Sequence, residues 1–217
     1  MATPYSIVFI NKSGRTGDVC LYQSTPKQFI RPEPESGHLT LAWFTKKTNT
    51  GTKARFAWNT DFCFIWDDLI NTEPGRVVDA SQTVEAGLYE NNAITLSKKK
   101  GAYEFTDQSS IDRFGLSVMV DNSVPKNEVV VGYGMAGSGL FAVPVAYNMM
   151  YQFIPQGRTE YHIAFGDFET GQILDVPAME CTAAVDFPPN VYSMQATLNE
   201  DNTWTIIPNR TLLSEED

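Results

Sequence analysis

Residues 41–68 read LAWFTKKTNTGTKARFAWNTDFCFIWDD, and they contain Trp43, Trp58 and Trp66, three of the chain's four tryptophans. Their apolar positions alternate. Ala54, Phe56 and Trp58 stand against Lys53 and Arg55. Phe62, Phe64 and Trp66 share one face of the next run, while Cys63 and Ile65 take the other. Strict period two marks a pleated strand, not a helix. Residues 39–45 are apolar on both faces (Leu39, Leu41 and Trp43; Ala42 and Phe44), which predicts a strand covered on both sides. A polar, glycine-containing turn separates this strand from the next. The stretch therefore reads as the centre of an all-β core.

The same rhythm extends outward. Residues 5–10 and 18–23 read as a hairpin across the polar loop 11–17. Pro26, Pro32 and Pro34 mark a crossing loop, because each proline removes a ladder donor. Further strands are expected at 76–84, 93–97, 102–105, 115–120, 128–133, 140–145, 151–154, 160–165, 182–187, 191–198 and 203–207. Lys98-Lys99-Lys100-Gly101 and Asn199-Glu200-Asp201-Asn202 read as polar turns. No segment carries a 3.6-residue apolar period over ten residues. Short, evenly spaced strands predict an all-β fold, a two-sheet antiparallel β-sandwich with a barrel-like variant and little or no helix. One domain is expected over residues 1–208, followed by an acidic tail at 209–217 that frays. A weak break falls at 98–101.

The chain has 217 residues, 42% of them hydrophobic and 12% aromatic, enough for a sizeable core without disulfides or metals. Its net charge of −10 argues against nucleic acid and anionic membrane surfaces as partners. Cys20, Cys63 and Cys181 are widely spaced, form no CxxC pair and read as free thiols, buried where they fall in apolar runs. The first residues, MATPYSIVFINKSGR, lack the basic and apolar regions of a secretory signal, and no run reaches the roughly 18 apolar residues of a span. The expected compartment is the cytoplasm, with no stable membrane insertion; a leaderless export route would leave no mark.

Gly132-Tyr133-Gly134-Met135-Ala136-Gly137 matches GxGxxG after an apolar run. A dinucleotide fold needs a helix to open there. Residues 140–145 are instead β-branched and contain Pro144, so the glycines read as a close-packed turn or bulge, whose bare backbone could line a ligand pocket. His38 and His162 stand alone, which predicts no metal site and no triad. No cofactor is expected. Asp61, Asp67 and Asp68 flank an aromatic strand, as glycosidase carboxylates or a sugar-stacking platform would. Alternation assigns most of those aromatics to the core.

Leu41-Ala42-Trp43-Phe44, the FAWNTDFCFIW run, residues 131–139, Phe187-Pro188-Pro189-Asn190-Val191-Tyr192-Ser193 and Asn202-Thr203-Trp204-Thr205-Ile206 together resemble the rhizosphere-induced, RhiA-like proteins. The resemblance spans most of the chain, in order. It implies an unsegmented, soluble β-rich domain without a signal peptide. It transfers no catalytic residue, because the family name records when a gene is expressed and not a reaction.

The expected function is a soluble binding or interaction protein, for a small apolar or sugar-like (carbohydrate) ligand, acting in association with other organisms. The expected site is one end of the sandwich, at Asn59, Asp61, Trp66, Asp67, Tyr133, Gly134 and His162. The alternative is a cofactor-free enzyme of cyclase or isomerase type, with a carboxylate or His162 in an apolar cavity. A third reading is a membrane-active, aegerolysin-like toxin.

Overall fold

The computed structural model describes residues 4–24, 30–31, 37–68, 71–155 and 160–209. Among them the fold is all-β, as the alternation predicts; the one helical turn is the 3-10 turn Val176–Ala178. The strands form four open sheets, not two, and none closes into a barrel.

Sheet A runs in the order β18 (Trp204–Pro208), β17 (Ser193–Leu198), β1 (Tyr5–Asn11), β6 (Lys53–Trp58). Sheet B runs β16 (Thr182–Val185), β15 (Tyr161–Gly166), β2 (Gly17–Gln23), β5 (Phe44–Thr48). Sheet C runs β10 (Ala102–Ser109), β9 (Ala93–Lys99), β11 (Leu116–Val120), β14 (Met149–Phe153), β3 (Ile30–Arg31). Sheet D runs β4 (Leu39–Thr40), β13 (Ser138–Pro144), β12 (Val130–Met135), β7 (Phe62–Asp67), β8 (Gln82–Ala86). The β1–β17 and β9–β11 pairs are parallel; the other strand pairs are antiparallel.

The sheets face each other in two pairs. Phe9 meets Phe165 and Trp58 meets Tyr161 between sheets A and B. Phe64 meets Phe105 and Tyr133 meets Phe153 between sheets C and D. Aligned side chains of this kind fill the space between stacked sheets. One apolar cluster runs continuously through both pairs, from Ile7 and Phe9 to Leu116 and Phe153. Each large side chain fully buried there contributes roughly 1.5–3 kcal/mol against exposure.

Residues 41–68 thread three of these sheets: β5 lies in B, β6 in A and β7 in D. Alternation places the faces correctly. In β6, Ala54, Phe56 and Trp58 are buried and Lys53 and Arg55 exposed. In β7, Phe64 and Trp66 enter the main core, while Cys63 and Ile65 pack on the opposite side against Leu39, Leu41, Val130, Ala142 and Ile173.

Three expectations are corrected. Residues 5–10 and 18–23 are strands but not a hairpin, since β1 belongs to sheet A and β2 to sheet B. Ile7 and Phe9 must meet Val19 and Leu21 across the core, so the loop carries the chain over to the facing sheet. That loop is held by Asn11, whose Nδ2 donates to the Arg15 carbonyl at 2.8 Å and whose Oδ1 accepts from the Ser13 amide at 3.0 Å. Residues 39–45 are not one strand. The ladder breaks at residues 41–43, where the Leu41 amide donates to Leu140 in sheet D and the Trp43 amide to Leu21 in sheet B. Of residues 76–84 only the end is strand; Val77 makes an isolated bridge to Gln172.

The break at 98–101 falls inside the β9–β10 hairpin, whose turn residues Lys100 and Gly101 both have positive φ. The polar connection at 199–202 does join β17 to β18. Pro26, Pro32 and Pro34 and the tail beyond Asn209 lie outside the described residues.

Candidate functional site

The residues singled out from sequence occupy three separate places. Asn59 and Asp61 are exposed at the start of β7, and the Asp61 carbonyl accepts the Ala136 amide at 2.9 Å, so the β12–β13 turn stands beside them. Gly134 is in the adjoining ladder opposite Cys63. That turn is Ala136-Gly137, with φ of 52° and 77°, a mirror-image turn matched to strand twist. The GxGxxG segment is thus a tight hairpin. Tyr133 is 2% exposed, and burial pushes its phenol pKa well up.

Trp66 and Asp67 stand at the far end of the same strand, since Asp67 pairs with Val130 and Phe62 with Met135. Five residue steps along β7 separate the two ends by about 17 Å. The Trp66 indole donates to Gln82 Oε1 at 2.9 Å. The Asp67 carboxylate is buried, accepting the Asp79 amide at 2.9 Å and the Ser81 hydroxyl. It ties residues 79–81 to β7. Asp67→Ala is expected to cost about 2 kcal/mol in a urea melt, because it strands a part-buried N–H; a midpoint within error of the parent would remove this structural role.

His162 lies in sheet B, stacked on Tyr22 at 5.1 Å between ring centres. Its Nε2 is buried without a hydrogen-bond partner among the described residues, and burial lowers its pKa. Cys20 and Cys63 are free and buried, and burial pushes the Cys63 thiol up to about 11, so it is held as an unreactive thiol. Cys181 is free and half-buried. The described residues contain no group of three or more His, Cys, Asp or Glu that could hold a metal ion. No helix among them is long and apolar enough to cross a membrane.

A groove of about 310 Å³ lies elsewhere, where the beginnings of β1 and β17 meet the ends of β6 and β18. Pro4, Tyr5, Val191, Tyr192 and Pro208 give it apolar walls. Tyr192 is 40% exposed, and its ring stands 5.5 Å from that of Tyr5. Behind Tyr5 lie Trp58, Tyr161 and Phe187, with ring centres at 6.1, 6.2 and 5.1 Å, which hold its ring from several sides. Ser6 and Ser193 form part of the lining; Ser6 Oγ donates to Ser193 Oγ at 2.9 Å, and Asn209 Nδ2 donates to the same oxygen at 3.2 Å. Ser193 accepts twice and so keeps its own proton for a third partner. Arg55 and Asn190 complete the polar part of the lining. The guanidinium of Arg55 pairs with no carboxylate among the described residues, where the ion pairs are Lys98–Glu128 and Lys99–Glu104.

None of the seven residues expected from sequence lines this groove. The signal that could have found it is Pro188-Pro189-Asn190: two prolines follow β16 and keep the segment out of a sheet, and Asn190 has φ 63°, a reversal just before the groove-lining Val191 and Tyr192. Arg55 was visible as the polar side of β6, but alternation says only that it faces away from the core.

Four open sheets with shared aromatic packing and one tyrosine-walled groove define an all-β sheet protein. The chain belongs to the RhiA family, whose family model, described as RhiA, matches residues 2–209. It is 30% identical over 210 residues to "Protein RhiA" of Rhizobium leguminosarum bv. viciae, covering 95% of this chain and 87% of that protein. No solved structure matches it.

Proposed function

We propose that this chain is a soluble binding protein that takes a small sugar-like or apolar ligand in the groove beside Tyr5 and Tyr192. The observation that carries this reading is the pairing of a supported aromatic wall with polar groups at one open concavity. Pyranose faces and apolar rings pack on tyrosine, while hydroxyls exchange hydrogen bonds with amide, hydroxyl and guanidinium groups. The groove's volume falls within the range of small-molecule sites, about 300–1,000 Å³. The continuous core favours reading residues 1–208 as a single domain.

The enzyme reading has less support. No aspartate, glutamate or histidine is among the described residues lining the groove, so general acid–base chemistry has no obvious group there.

The test is amide chemical-shift mapping with a neutral trisaccharide and an aryl glycoside. Shifts are expected at Ser6, Ala57, Tyr192 and Asn209, and Tyr192→Ala is expected to weaken binding about tenfold, the equivalent of one lost aromatic contact. Shifts confined to Asn59, Asp61 or to Trp66 and Asp67 would move the site back to the ends of β7.

A further inference from the structure

The groove opens onto the outer face of sheet A, and the register defines which side chains lie there. Ser6, Val8 and Ile10 of β1 stand opposite Ala57, Arg55 and Lys53 of β6. On the other side they stand opposite Ser193, Gln195 and Thr197 of β17, which in turn face Ile207 and Thr205 of β18. Lys53 and Arg55 are the charged side chains at these positions, and no carboxylate is among them. The chain carries 26 Asp and Glu against 16 Lys and Arg, so a sheet face with cations alone departs from the rest of the sequence. Lys53 and Arg55 are both exposed, and two residues along a strand place them about 7 Å apart on one side.

We infer that the ligand of this groove is carboxylated, an acidic oligosaccharide whose one ring packs on the exposed Tyr192, itself backed by Tyr5, and whose carboxylates meet Arg55 and then Lys53 along β6. This rests on the groove being the binding site. Arg55 lines the groove and belongs to the open face as well, so it stands where a ligand leaving the groove must pass. Its planar fork matches a carboxylate with two parallel hydrogen bonds. Lys53 then supplies a point charge, and Gln195, half-buried on the same face, supplies hydrogen bonds to a hydroxyl. The central backbone N–H groups of this sheet are committed to its ladders. A phosphate, which is usually held by a cluster of free backbone donors, finds no such cluster on the face. Arg55 and Lys53 lie on the edge strand β6, but an acidic peptide added along that edge would leave unused the tyrosine-walled groove, which spans β1 and β17.

The experiment is calorimetric and shift titration of the whole chain with three probes: a tri-uronate, its fully methyl-esterified form and a hexaglutamate peptide. The tri-uronate is expected to bind at least tenfold more tightly than the ester, with an affinity that falls as salt rises. Arg55→Gln is expected to abolish that preference, weakening the tri-uronate by a larger factor than the ester. Lys53 does not line the groove, and Lys53→Gln is expected to reduce the preference by a smaller factor and to leave ester binding in place. Both side chains are exposed, and the melting temperature of each variant checks that the fold is kept. Equal binding of uronate and ester, or a preference that survives Arg55→Gln, overturns the acidic-ligand inference and leaves the groove reading intact. If neither sugar shifts the groove amides, both fall. Tighter binding of hexaglutamate than of the tri-uronate would replace the oligosaccharide by an acidic peptide.

Discussion

Trp43→Ala is expected to lower stability by roughly 3–5 kcal/mol, the range for removing a fully buried large aromatic side chain. For a chain of this size that corresponds to a fall in melting temperature of about 10 °C. The side chain is 0% exposed and sits where the chain leaves sheet D for sheet B. Its ring packs on Phe44 at 4.3 Å, Trp58 at 5.1 Å and Tyr161 at 6.1 Å. Its indole donates to the Met135 carbonyl at 2.9 Å, and its own carbonyl accepts the Ser138 hydroxyl at 2.7 Å. Both partners belong to the β12–β13 hairpin, so this one residue joins the A/B pair to the C/D pair. Trp43→Phe separates the two contributions. It keeps most of the packing, strands the Met135 carbonyl, and is expected to cost about 1–2 kcal/mol. Thermal melts followed by circular dichroism decide the matter; a shift of only a few degrees for Trp43→Ala would show that the two pairs are held together elsewhere.

The second large effect is expected at Gly132. A methyl group there would lie 1.9 Å from the Phe141 carbonyl oxygen and 2.8 Å from the Ala142 Cα, both backbone atoms of the neighbouring strand. A flexible side chain could turn aside, but the β13 backbone cannot move without pulling on its ladder to β12. Gly132→Ala is therefore expected to exceed the roughly 1–3 kcal/mol of ordinary overpacking, or to prevent folding. Gly137→Ala, five residues along, is the comparison. Gly137 has φ 77° and open space around it, so the substitution costs only the left-handed backbone penalty of about 1 kcal/mol. Equal melting temperatures for the two variants would contradict the close approach of β12 and β13. The two glycines look alike in the GxGxxG motif, yet one serves strand contact and the other the turn.

That pair shows how far the sequence could be read. The missing helix after residue 137 and the β-branched residues at 140–145 were enough to set aside a dinucleotide site. They could not say which glycine touches a neighbouring strand, because that contact depends on β13 lying against β12. Residues 53–58 and 62–67 were legible nearly to the residue, since one-sided burial enforces alternation. Residues 39–45 read as one strand, and the structure splits them, for the opposite reason. Apolar side chains on both faces fit a doubly covered strand and a crossing between two sheets equally well.

The candidate site was less legible still. Asn59, Asp61, Trp66 and Asp67 are close in sequence, but a strand of six residues holds its ends apart. Asp67 looked like a free carboxylate at a strand end; it turned out to be occupied by the Asp79 amide and Ser81. The groove residues come from the opposite regions of the chain, Tyr5 and Arg55 near one end of the sequence and Tyr192 and Asn209 near the other. They meet because β1 pairs in parallel with β17. A parallel pair needs no local turn and leaves no local signal.

The sequence by itself determined the all-β class, the inward faces of β6 and β7, and that the glycine motif is a turn or bulge between strands and not the start of a helix. Each follows from interactions between near neighbours along the chain: alternation against a core, or the absence of a helical period. Only the tertiary structure decided that the strands divide among four sheets, that Trp43 joins them, and that the open concavity lies at the beginnings of β1 and β17. Those features depend on which distant strands share hydrogen bonds, and burial pattern within a strand is the same whichever partner supplies them.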